Sequence, residues 1–298
     1  MDKEKGANVI KQRIFPESNY KSVFFDYKTL RFKIDSTKPM NELKYPEFYD
    51  VKITDKCMSL CPQCYQDSTP EKDHFKDLIQ NFVSYFGKMS DNEKPYQIAI
   101  GGGEPTLHPN FSRLLETSKK LGIVPNYTTN GMFVVDSLLR ESIIYCTQLF
   151  CGGVAVSAHE HLDGYWKWAV DLFVKAKVKT NIHLIISDKE SVNRFLKIFE
   201  EYQDKVNYFV LLSYQAMGRA EFKKVESDYL FKKLKGLKNI SKVSYGAMFY
   251  EELKKQTWLD VSLYEPEIFS KYIDMDGNGT LYKSSFNISE PIKENLFK

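Results

Sequence analysis

Residues 48–65 read FYDVKITDKCMSLCPQCY: an alternating apolar run that leads straight into three cysteines, Cys57, Cys61 and Cys64. Three thiolates from one loop suit an iron–sulfur cluster, which prefers four protein ligands, so one iron would be left open. An open position on a metal marks chemistry, as it does in catalytic zinc sites. Other readings of the loop stay in play. A structural zinc would need a fourth ligand, and His74 lies ten residues on. A ferredoxin loop has a different spacing. A disulfide would leave an odd cysteine. The remaining two, Cys146 and Cys151, fit small buried hydrophobes.

On either side of this loop, short β-type runs alternate with helical ones. Strands are expected at 50–54, 96–101, 124–128, 153–157, 179–186 and 206–213, and helices at 75–89, 111–121, 137–145, 163–176 and 189–202. Six such units imply a parallel sheet with right-handed crossovers. The expected architecture is α/β, a partial (β/α)6 barrel over residues 50–220. It is flanked by an extension with a hairpin (1–49) and by a helix and second hairpin (221–298) that cover the barrel. Expected flanking elements are a helix at 223–237 and a strand at 242–247. Alternation places Asp50 and Lys52, Asn126, Ser157, and Asn181 and His183 on lumen-facing positions, with His159 just past a strand end. Catalytic groups of such barrels gather at the C-terminal strand ends.

The 298 residues carry a net charge of +3, too mild to argue for a nucleic-acid partner. The opening MDKEKGANVIKQ has no apolar core of a signal peptide, and no run of 18 apolar residues suggests a membrane span. Cytoplasmic residence is therefore expected, and suits reduced thiols.

Three further runs fall at strand ends: Gly101-Gly102-Gly103-Glu104-Pro105, Thr129-Asn130-Gly131 and Gly218-Arg219-Ala220. Singly each is consistent with a turn. In order, CMSLCPQCY, GGGEP, TTNG and QAMGRA resemble the motifs of the radical S-adenosylmethionine (radical SAM) superfamily. The resemblance implies that Cys57, Cys61 and Cys64 ligate one [4Fe–4S] cluster whose open iron is chelated by S-adenosylmethionine. It places Gly102, Gly103 and Glu104 at the methionyl amino group, with Pro105 shaping the turn and Asn130 close by. Ser157 and Asn181 or His183 become candidates for the ribose and carboxylate, and the segment from Leu211 to Gly218 for the adenine. Reductive cleavage to a 5′-deoxyadenosyl radical would follow, fed by a donor such as flavodoxin or ferredoxin. Two departures stand out. Gln63 replaces the usual bulky group before the third cysteine, although Tyr65 fits the pattern. The segment FSKYIDMDGNGTLYKSSF looks like an auxiliary-cluster extension, but Ser270, Ser284 and Ser285 stand at its flanks, so no second cluster is expected. Its calcium-loop mimicry fails at Ser285, where a bidentate Glu is required.

Without auxiliary clusters the expected substrate is a small molecule. Asp50, Lys52, Asn126, His159, Tyr214 and Tyr245 are the candidate contacts. The whole chain resembles the radical SAM lyases that release a 7-deazaguanine base from queuine in queuosine salvage. A peptide-modifying radical SAM enzyme and a non-catalytic, metal-stabilised binding module are the alternatives.

Overall fold

The computed structural model describes residues 11–221, 225–259 and 266–298. Most of the opening MDKEKGANVIKQ and the start of the expected 223–237 helix lie outside the described residues. The chain begins with an antiparallel sheet, β1 (Lys11–Phe15), β2 (Tyr20–Phe25) and β3 (Lys28–Lys33). All six expected barrel strands then form: β4 (Phe48–Lys52), β5 (Gln97–Gly101), β6 (Val124–Thr129), β7 (Gly153–Ser157), β8 (Thr180–Ile186) and β9 (Tyr208–Ser213). Between them run α1 (Leu78–Phe86), α2 (Phe111–Lys120), α3 (Ser137–Phe150), α4 (Asp163–Lys175) and α5 (Lys189–Tyr202). After β9 come α6 (Ser227–Leu234), β10 (Val243–Tyr245), β11 (Ser270–Asp274), β12 (Thr280–Tyr282) and β13 (Lys293–Glu294).

The large sheet runs β10-β9-β8-β7-β6-β5-β4-β11-β12-β13 and stays open. Six parallel strands were expected, and the structure extends them to eight. The C-terminal segment supplies β10 in parallel beside β9 and β11 in parallel beside β4. The reason is the open barrel itself: β4 and β9 would otherwise expose unpaired backbone groups.

Alternation sorts each strand. Val51, Ile98, Ile100, Val154, Val156, Ile182, Leu184, Phe209 and Leu211 are buried in the core shared with the helices. On α1, Leu78, Phe82 and Phe86 recur at four-residue spacing and form its buried stripe. Burying each such side chain contributes about 1.5–3 kcal/mol. Asp188 starts α5 with a capping box to Ser191, and Asp136 caps α3 through Leu139 N–H.

The antiparallel sheet closes the end of the barrel opposite the cysteine loop. Phe24 stacks on Tyr96 at 5.0 Å, and Arg31 pairs with buried Glu47 at 2.8 Å. The β2–β3 turn reaches the N-terminal strand ends, where Gln97 donates to the Tyr27 carbonyl and Lys179 pairs with Asp26. Among the described residues no helix is long and apolar enough to cross a membrane.

Candidate active site

The loop after β4 is held by backbone contacts rather than by apolar packing. Cys57 N–H donates to the Thr69 carbonyl, and Cys64 N–H to that of Cys61. Arg219, after β9, braces it from across the barrel: its guanidinium donates to the Cys61 carbonyl (3.4 Å), the Ser68 carbonyl (2.9 Å) and the Asp67 carboxylate (3.0 Å). Gly218 makes that approach possible, because a methyl there would overlap the carbonyls of Cys64 and Tyr65. Sequence reasoning left Arg219 with almost no weight on its own, since its partners lie some 150 residues away.

The glycines after β5 do a related job. Gly103 N–H donates to the Thr54 carbonyl and Glu104 N–H to that of Lys56. A methyl on Gly103 would collide with the Lys56 carbonyl, so the residue is Gly because two backbone segments touch. Glu104 is buried and clamps β5 to β6. Its Oε1 accepts from Thr106 Oγ1 (2.6 Å), Thr106 N–H (3.3 Å) and Thr129 Oγ1 (2.8 Å), and its Oε2 from Asn130 N–H (2.8 Å). Burial nevertheless pushes its pKa above the ordinary carboxylate value. Oε2 has capacity for one more donor, so the expected ammonium contact stays open, but the first task of this carboxylate is structural. Asn130, thus fixed, points its side-chain amide at Cys57 Sγ (3.7 Å).

These elements surround a cavity of about 390 Å³. Its wall includes Cys57, Cys61 and Cys64, together with Tyr65, Gly102, Gly103, Glu104 and Asn130. Ser157, His159 and His183 line it from β7 and β8, and Asp50 and Lys52 from β4. Burial drops His159 and His183 to about 4, so both imidazoles are neutral at pH 7. Burial raises Asp50 to about 7.

Seven expected residues lie outside this cavity. Leu211 is one position out of phase: it faces the helices, while Leu212 and Ser213 line the cavity. Tyr245 is paired in register with Leu211 and so shares its helix side, packing near Phe231 and Phe249. Tyr214 donates its hydroxyl to the Glu221 carbonyl. Asn126 sits low in the barrel, bonded to Gln97 Oε1 and the Ile98 carbonyl. Asn181 is two residues below His183 on the same strand. Pro105 is buried in the turn after Glu104, and Gly218 braces the loop from behind.

No protein-family model matches the chain. The tungsten-containing aldehyde ferredoxin oxidoreductase cofactor-modifying protein of Pyrococcus furiosus is 31% identical over 97 residues, 30% of this chain. The match spans 26% of that relative's length. Among solved structures, SuiB of Streptococcus suis bound to S-adenosylmethionine matches with a TM-score of 0.71 at 13% identity, over 99% of this chain and 86% of that one. anSMEcpe with bound AdoMet and Cp18Cys peptide matches at 0.59 and 16% identity, over 85% and 78%. The fold is the one shared by SuiB and anSMEcpe, both solved with S-adenosylmethionine bound.

The three thiols reach the cavity from one loop. Ser59 Oγ lies 3.0 Å from Cys57 Sγ and 3.3 Å from Cys61 Sγ, so a hydroxyl stands between the two sulfurs. His74, the possible fourth zinc ligand, bonds Thr54 Oγ1 instead and packs edge-on to His108. Gln63, the departure noted in the sequence, lines the cavity and meets His159 Nδ1 at 3.4 Å. Sequence reasoning missed Met248, Tyr272 and Phe286, which the C-terminal segment brings to the cavity wall. Phe286 packs on Tyr65 at 4.8 Å, and Lys52 ties β4 to β11 through Asp274 at 3.0 Å. That salt bridge also engages Asp55, so the Lys52 ammonium is already neutralised.

Proposed function

We propose that the chain is a radical SAM enzyme acting on a small molecule. The observation that carries this reading is the convergence of Cys57, Cys61, Cys64, the Gly102–Glu104 turn and Asn130 on one cavity at the C-terminal strand ends. Cys57, Cys61 and Cys64 would hold a [4Fe–4S] cluster, which together with S-adenosylmethionine would supply radical hydrogen-abstraction chemistry. The residues of this chain do the rest. Arg219 and Gly103 hold the cysteine loop rigid. Asn130 aims a donor at a ligating sulfur, which favours the thiolate. Neutral His159 and His183 offer hydrogen bonds without adding charge. A small electron carrier such as flavodoxin or ferredoxin would deliver the electron, and the cytoplasm is the compartment that suits this chemistry.

Ser270, Ser284 and Ser285, where an auxiliary-cluster extension would carry cysteines, favour a small substrate. The specific candidate is queuine, cleaved to release a 7-deazaguanine base. The peptide bound to anSMEcpe supports the second reading, a peptide-modifying enzyme.

Anaerobic reconstitution with iron and sulfide tests the reading. Charge-transfer absorption from the cluster and 5′-deoxyadenosine formation with S-adenosylmethionine and reductant are expected. Both should vanish in Cys61→Ala. Absence of both signals from the wild-type protein leaves only a non-catalytic binding module.

A further inference from the structure

We infer that Ser59 is a positioning residue for the electron: its hydroxyl donates to the Cys57 and Cys61 sulfurs and raises the reduction potential of the cluster they would hold. This inference rests on the radical SAM reading and names a residue of this chain that tunes that same site.

Ser59 is turned inward against the pattern of its neighbours. Met58 and Leu60 are 49% and 56% exposed, whereas Ser59 between them is 8% exposed. Leu60 takes a left-handed φ of 46°, a conformation that an apolar side chain adopts only under constraint. The loop thus leaves two apolar side chains in water and buries a hydroxyl, the reverse of what hydrophobic burial favours. The buried hydroxyl lies 3.0 Å from Cys57 Sγ and 3.3 Å from Cys61 Sγ. His161, after β7, holds the residue in place, its Nε2–H donating to the Ser59 carbonyl at 3.0 Å.

The three thiols reach one cavity from one loop, the donor set that an iron–sulfur cluster takes. A ligating thiolate can only accept a hydrogen bond, so the hydroxyl is the donor, and its single hydrogen is shared between two sulfurs. A reduced cluster carries one more negative charge than an oxidised one. A donor aimed at its sulfurs therefore stabilises the reduced state more, and the potential rises. The other contacts differ in kind. Cys64 Sγ accepts from the Ser68 backbone N–H at 3.4 Å, a bond that does not depend on a side chain. Asn130 reaches Cys57 Sγ at the longer distance of 3.7 Å. Among the described residues Ser59 is the one side chain that hydrogen-bonds the Cys61 sulfur.

The test is a redox titration of the anaerobically reconstituted protein, followed by the charge-transfer absorption of the cluster, with iron and sulfide counted per chain. Ser59→Ala should load a full cluster yet show about tenfold less of it reduced at the same ambient potential, a shift of about 59 mV to the negative for one electron. Ser59→Thr keeps the hydroxyl and should stay within about threefold of wild type. The inference is overturned if a loaded Ser59→Ala also lies within about threefold of wild type or shifts to the positive. It is overturned as well if Ser59→Thr shifts as far as Ser59→Ala, since packing and not the hydroxyl would then set the potential. Should Ser59→Ala load poorly, Ser59→Val is compared with Ser59→Thr, which has nearly its shape. A negative shift in Ser59→Val alone supports the inference, and equal potentials overturn it. Failure of both Ser59→Ala and Ser59→Val to load, with Ser59→Thr loading normally, also overturns it, because the hydroxyl would then serve assembly. Wild-type protein that assembles no cluster fails the radical SAM reading and takes this inference with it; a wild-type cluster with unshifted variants fails this inference alone.

Discussion

Replacing Glu104 by glutamine changes one oxygen of a buried clamp into an amide nitrogen. In the wild type, Oε1 takes three donors from Thr106 and Thr129, and Oε2 takes Asn130 N–H at 2.8 Å. The amide carbonyl can keep the first three, so its NH2 must face the Asn130 N–H, donor against donor. Losing a hydrogen bond to a charged acceptor costs about 1.5–3 kcal/mol. Against this, the amide needs no charge desolvation, and the raised pKa of Glu104 says that burial outweighs its hydrogen bonds. The net expectation is a loss of about 1–2 kcal/mol, or roughly 2–8 °C in melting temperature for a chain of this size. Asn130 should also lose its aim at Cys57 Sγ, lowering iron retention after reconstitution. The assay is reversible denaturation of the cluster-free protein, followed by iron and sulfide quantitation. If Glu104→Gln melts at or above the wild-type temperature yet no longer binds S-adenosylmethionine, the clamp reasoning is wrong and the carboxylate serves the ligand alone.

Other outcomes follow from the same geometry. Gly103→Ala drives a methyl into the Lys56 carbonyl and should destabilise by about 1–3 kcal/mol, read as lower melting temperature and poor cluster loading. Arg219→Lys keeps the charge but cannot span Cys61, Ser68 and Asp67 together; a loss of about 1–3 kcal/mol and faster cluster loss under chelator should follow, and wild-type retention would contradict the brace. For pH, Asp50 titrates at about 7 in the folded chain against an ordinary 3.8. A carboxyl with a raised folded pKa contributes stability below about pH 4 and loses it as pH rises to about 7. Wild-type stability should therefore fall relative to Asp50→Asn across that window, by at most about 4 kcal/mol. Equal pH profiles would show that water or a protein donor already satisfies the group.

Much of the barrel was legible because its signals are local. Alternation in FYDVK and GVAVS, four-residue spacing in α1 and an Asp before α5 each act within a few residues. The cysteine spacing is likewise a property of one loop. Phase errors were the characteristic failure. Leu211 and Leu212 are alike in composition, and only the turn of the strand assigns one to the helices and the other to the cavity. Tyr245 looked like a ligand-facing aromatic, and its register beside Leu211 packs it against the core on the helix side.

The sequence by itself determined the strand-and-helix alternation, the three-thiol loop and the carboxylate at position 50, because periodicity and spacing are short-range facts. Only the tertiary structure decided that β11 pairs with β4 across 222 residues at Lys52 and Asp274, that Arg219 clasps the cysteine loop, and that Tyr272 stands opposite Asp50. Open sheet edges seek partners wherever the chain can return to supply them, and that return is a long-range outcome no local pattern encodes.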